Sequence, residues 1–169
     1  MFNNHAKLMR FFAESEEVVG RKKLQKMIFI LKKLGFPFEE RYEFHFYGPY
    51  SEELTLRTEE LCDLGFLTES EEQKSGYKQY RYTVTEEGLA FLQMYPSPIP
   101  DVSSQVKLLN EQTSRFLELV STILYFDELE GDSLKNKVLS VKDKQNYSKE
   151  EWQEAVLFVE KLGESRVGV

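Results

Sequence analysis

The chain has 169 residues with 22 basic and 29 acidic side chains, a formal net charge of −7. With 41% hydrophobic residues it can bury a core, and its charge balance sets the molecule as a whole against non-specific attraction to nucleic acid or anionic membranes. The longest apolar run, Met27 to Leu31, is far short of the roughly 20 residues a membrane span needs. No apolar leader opens the sequence, so a cytoplasmic protein is expected. The single cysteine, Cys62, excludes an intramolecular disulfide and the four-ligand zinc patterns.

In chain order, Leu8, Phe11 and Phe12 predict a short helix over residues 5–13, ended by a polar break at Glu14 to Glu17. Residues 21–34 place Leu24, Met27, Ile28, Leu31 and Leu34 on one face, and Gly35 supplies a stop. Period-two alternation from Tyr42 to Tyr47 predicts a strand that enters a turn at Gly48-Pro49. A third helix is expected over 51–64, with Leu54, Leu61 and Leu64 inward. Residues 66–69 and 80–84 read as a hairpin whose turn is Lys74-Ser75-Gly76. A helix over 86–94 leads to the stiff Pro-rich segment 96–100. Beyond it the chain reads as helical: a long helix from Ser103 to Phe126, one over 132–141, and a last one over 149–162 opened by the capping box Ser148-x-x-Glu151.

This order predicts an α+β, mainly helical protein. A winged helix-turn-helix domain (1–95) is followed by the connector (96–100) and a C-terminal helical subdomain (101–169). Residues 51–64 take the recognition-helix position and 74–79 the wing tip. The runs KLQKMIFILKKLG, FYGPYSEEL, LGFL and YRYTVTEEG resemble the YwgA family of small bacterial proteins and, more distantly, the Panacea group of antitoxin-associated domains. The resemblance covers roughly residues 5 to 95 and implies a winged-helix fold and a regulatory role.

No motif for nucleotide, metal or acyl chemistry is present, so neither a cofactor nor a metal site nor a catalytic set is expected. A thiol enzyme built on Cys62 with His45 is the distant alternative. Against it, a lone intracellular cysteine commonly packs as a small hydrophobe. The aromatic run Phe36, Phe38, Tyr42, Phe44, Phe46, Tyr47 and Tyr50 lacks the basic groove that stacked single-stranded bases want, and reads as core packing.

Two stripes bear on partners. Outward on residues 51–64 run Glu52, Leu56, Glu59 and Asp63, where a DNA reader would need donors and positive charge. Opposite the core face of residues 21–34 run Lys22, Lys26, Phe29 and Lys33 at the same spacing. The two stripes are expected to bind partners, either each other across a subunit contact or a second protein. The alternative assigns Arg21, Lys22, Lys23, Lys26, Lys74, Lys78 and Arg81 to nucleic-acid contacts, which would anchor phosphates without an obvious base reader. Val106, Leu109, Thr113, Phe116, Val120 and Ile123 form an apolar seam that could pair with a symmetry mate or pack on Trp152, Val156 and Val159. The expected function is that of a non-catalytic regulatory or adaptor module, with a protein partner or homodimer first and a DNA-binding regulator second.

Overall fold

A computed structural model describes residues 2–96 and 99–167, so Ser97 and Pro98 of the Pro-rich segment lie outside the described residues. Helix α1 (Asn3–Ser15) is followed by a three-residue strand β1 (Glu17–Val19), helix α2 (Arg21–Lys33), strands β2 (Glu43–His45) and β3 (Gly48–Tyr50), and helix α3 (Glu52–Asp63). Strands β4 (Leu67–Lys74) and β5 (Tyr77–Val84) and helix α4 (Glu86–Met94) complete the first part. Helices α5 (Ser103–Asn110), α6 (Ser114–Tyr125), α7 (Gly131–Val141) and α8 (Lys149–Gly163) form the rest. The fold is thus α+β and mainly helical, with small antiparallel sheets.

Hydroxyl caps fix four helix starts. Ser51, Thr85, Thr113 and Ser148 each accept the amide three residues on, from Leu54, Gly88, Phe116 and Glu151. The capping box expected at Ser148 and Glu151 is present in both directions. Thr113 explains why no single helix runs from Ser103 to Phe126. It carries extended backbone, caps α6, and leaves α5 to end at Asn110.

The three-stranded sheet has the order β1-β5-β4, with Val18 opposite Tyr82 and Leu67 opposite Val84. The expected polar break at Glu14 to Glu17 is shared out: helix α1 runs on through Ser15, and strand β1 starts at Glu17. Glu16, at φ 62°, reverses the chain there and lets Val18 reach the core. The segment expected as one strand over 42–47 is a second, tighter hairpin. Its tip is Phe46-Tyr47, and Gly48-Pro49 belongs to the return strand.

Helix α2 lies at the centre. Residues 24 to 31 are all buried, because α6, α5, β1 and β3 close around it. Val106, Leu109, Val120 and Ile123 are buried within the chain, α6 packing on α2, α7 and α8, so this seam offers no free face to a symmetry mate. The buried apolar residues on the two sides of the Pro-rich segment form one core.

Candidate functional site

The segments KLQK (23–26) and FYGPYS (46–51) are separated in the chain by residues 27–45 and meet in space. Gln25, buried in α2, donates through Nε2 to the Ser51 carbonyl at 2.9 Å and to Thr55 Oγ1 at 3.1 Å. Its Oε1 accepts the Ser51 amide at 2.8 Å. Ser51 in turn caps α3, so one buried amide side chain sets where the third helix starts. Tyr42 adds a hydroxyl donated to the Gln25 carbonyl at 3.0 Å. Lys23 ties the same helix forward, donating to the Asn110 carbonyl at 2.6 Å.

Two lysines hold the β2–β3 hairpin from beneath. Lys26, only 2% exposed, donates to the Pro49 carbonyl at 3.1 Å, and Lys142 donates to the Phe46 carbonyl at 2.8 Å. Glu118 of α6, 7% exposed, sits 3.5 Å from Lys142 and acts electrostatically on Lys26. Burial pushes the Lys26 ammonium down to about 8, against the pull of Glu118 and with the push of Lys142 and Lys22. Lys142 is lowered as well, by burial first. Gly48 is favoured here by its φ of 95°, which side chains rarely adopt, while Glu118 and Lys26 lie at ordinary contact distance from where a Cβ would be.

Between α2, this hairpin, α3 and the start of β4 lies a cleft of about 420 Å³. Lys22 and Lys26 line it with Gln25, His45, Tyr47 and Glu59. Its hairpin wall includes His45 stacked on Tyr50 at 4.8 Å, and Lys22 Nζ lies 3.4 Å above the Tyr47 ring.

The chain is 58% identical over 162 residues to the "Uncharacterized protein YwgA" of Bacillus subtilis (strain 168), which covers 96% of this chain and 98% of the relative. The chain belongs to the YwgA family. No protein-family model matches it. The two segments that most specify the YwgA resemblance are therefore the two halves of one interlocked site, α2 against the hairpin and the cap of α3.

Other expected site residues in this YwgA-family protein fare differently. Glu52, Leu56, Glu59 and Asp63 are all exposed on α3, as expected. Leu64, expected inward, is 50% exposed, because the helix ends one residue earlier and the chain turns at Gly65. The proposed basic stripe does not exist as a surface. Lys26 and Phe29 are buried, Phe29 against Tyr42 and Tyr125, and Lys33 pairs with Asp127 at 2.9 Å. Helix α6, distant in sequence, covers this face of α2. Lys22, Lys26 and Glu59 instead line one cleft within a single chain.

Most cations expected to contact nucleic acid are engaged internally. Arg21 pairs with Glu69 at 2.9 Å, Lys78 with Glu71 at 3.1 Å, and Arg81 with Glu17 at 2.7 Å and Glu72 at 3.3 Å. Arg57, the lone cation of α3, is held by the buried carboxylate of Glu40. Cys62 is half-buried, and burial with the nearby Glu69, Asp63 and Glu59 pushes its thiol up to about 11. Such a thiol stays protonated near neutrality. Of the aromatic run, Phe36 and Phe38 are buried as expected, whereas Phe46 and Tyr47 stand exposed at the hairpin tip. Among the described residues no group of three potential metal-binding side chains occurs and no helix is long and apolar enough to cross a membrane.

Proposed function

We propose that residues 1–95 form a winged helix-turn-helix module and that the protein is a non-catalytic regulator working through protein contacts on the outer face of α3. The order α1-β1-α2-α3-β4-β5, with the β2–β3 hairpin inserted between α2 and α3, supports the winged-helix reading, with α3 in the recognition position and the long β4–β5 hairpin as the wing. Fold alone does not assign the partner. The observation that carries the partner reading is the chemistry of α3. Glu52, Glu59 and Asp63 are exposed without an ion-pair partner among the described residues, around Leu56 at 52% exposure and Leu64 at 50%.

Phosphates would meet carboxylates on this face, whereas a basic protein segment with an apolar anchor would find both halves of its complement. The wing compensates little, since Lys78 is paired with Glu71 and Arg81 with Glu72 and Glu17, which leaves the exposed Lys74 as its one cation outside an ion pair among the described residues. The test compares partner capture from native lysate by the wild type, by Leu56→Asp/Glu59→Lys, and by the wing variant Lys74→Glu/Lys78→Glu. We expect a protein lost only by the α3 variant, and no submicromolar affinity for duplex DNA at about 150 mM salt. DNA binding that the wing variant abolishes would replace this reading with that of a DNA-binding regulator.

A further inference from the structure

We propose that the cleft between α2, the β2–β3 hairpin and α3 binds a small planar molecule carrying one anionic group, its anion held between the ammonium groups of Lys22 and Lys26. The site shares Glu59 with the proposed partner surface of α3 but rests on Lys22, Lys26 and the hairpin, which that reading does not use. At about 420 Å³ the cleft falls within the range of small-molecule pockets, roughly 300–1,000 Å³. Most of its polar lining is already satisfied. Gln25 is spent on Ser51 and Thr55, Tyr50 on Thr55, Thr58 on the Leu54 carbonyl, and Arg21 on Glu69.

Lys22 and Lys26 are different. They stand one turn apart on α2, both line the cleft, and neither is in an ion pair among the described residues. Lys26 uses one of its three donors on the Pro49 carbonyl, and Lys22 Nζ lies over the Tyr47 ring with no hydrogen bond among the described residues. Like charges at this spacing repel, and Lys142 adds a third beneath the hairpin, against two carboxylates, Glu118 of α6 and Glu59 of the lining. A chain of net charge −7 thus keeps an under-compensated positive cluster in this cleft. An anion relieves that cluster and gains charge-assisted hydrogen bonds.

The remaining lining sets the rest of the ligand. The hairpin contributes the stacked pair His45 and Tyr50 and the ring of Tyr47, which suits a flat body. Glu59, also in the lining, repels a polyanion and favours a single negative group. The class is therefore a planar aromatic monoacid.

The test uses two probes of nearly the same shape, 2-naphthoate and the neutral 2-naphthamide, followed by amide chemical shifts of the whole protein. The expected result is saturable naphthoate binding with shifts centred on Lys22, Gln25, Tyr47 and Tyr50, and naphthamide weaker by about tenfold or more. Lys22 is exposed, so Lys22→Gln removes charge without disturbing packing. It should weaken naphthoate severalfold and leave naphthamide unchanged, while the wing substitution Lys78→Gln alters neither. Equal affinity for acid and amide, shifts centred outside the cleft, an unchanged naphthoate affinity in Lys22→Gln, or no saturable binding at millimolar probe would each overturn the proposal.

Discussion

Replacing Gln25 by leucine removes the one side chain that locks α2 to the start of α3. Three hydrogen bonds go, at 2.8, 2.9 and 3.1 Å. Two of the partners keep an alternative: the Ser51 carbonyl still receives the Thr55 amide at 3.3 Å, and Thr55 Oγ1 still bonds the Tyr50 hydroxyl at 3.0 Å. The Ser51 amide keeps none, and Ser51 is fully buried, so water cannot replace Gln25. An orphaned buried amide costs about 1–3 kcal/mol, and the two weakened bonds add about 1 kcal/mol together after the relief of no longer burying the Gln25 amide. The sum is about 2–4 kcal/mol. Urea unfolding reads it directly, because with a slope of about 2 kcal/mol/M the midpoint should fall by about 1–2 M at unchanged slope. Exchange of the Ser51 amide should accelerate beyond that of core amides. A loss below about 0.5 kcal/mol would refute the reasoning, since it would mean that the Ser51 amide is satisfied from elsewhere.

Other outcomes follow from the same structure. Val120→Asp places a carboxylate at a site with no exposure inside the chain, costing several kcal/mol, so the melting temperature should fall by about 10 °C or more; wild-type melting would contradict the burial of α6. Because the folded-state value of Lys26 lies near 8, below its ordinary 10.5, the unfolded chain holds a proton that the native state has released between those values. Stability contributed by this group therefore rises with pH across that window, with Glu118, Lys142 and Lys22 as the charges facing it. Thermal melts of wild type against Lys26→Met should show the wild type gaining on the variant from about pH 7 to about pH 9, below the range in which Cys62 and the buried tyrosines work in the opposite direction; a constant gap would contradict it. The Cys62 thiol, raised to about 11, should react with a disulfide reagent at pH 8 far more slowly than a free cysteine, and a rate equal to the free thiol would place it at the surface.

Much of the fold is legible where local periodicity and local caps decide the outcome. Helices α2 and α3, the β4–β5 hairpin and the Ser148 box follow from spacing, glycine stops and hydroxyl chemistry that act within a few residues. The differences arise where a distant element overrides the local pattern. Lys26 and Phe29 look like the outer face of an amphipathic helix until α6 arrives some ninety residues later and buries them. Thr113 is the one polar break in a three-four apolar spacing that resumes in the same register beyond it, which hides its role as a cap. The β2–β3 turn carries two aromatics and has its glycine after the tip, so alternation reads through it as one strand. At the site, the sequence marks KLQK and FYGPYS as distinctive but not as partners. Their meeting depends on a buried glutamine and a buried lysine, residue types that local pattern assigns to the surface. Glu118 and Lys142, which complete the support of the hairpin, carried no signal in spacing or motif.

The central functional claim, that the outer face of α3 is a protein-binding surface, is tested most directly by a photo-crosslinking amino acid placed at position 56 in the full-length protein within native cells. The account predicts a discrete protein adduct that Glu59→Lys weakens and added salt weakens, with the same crosslinker at position 78 on the wing giving none. Adducts to nucleic acid at either position, or a position-56 adduct indifferent to Glu59→Lys, would contradict it.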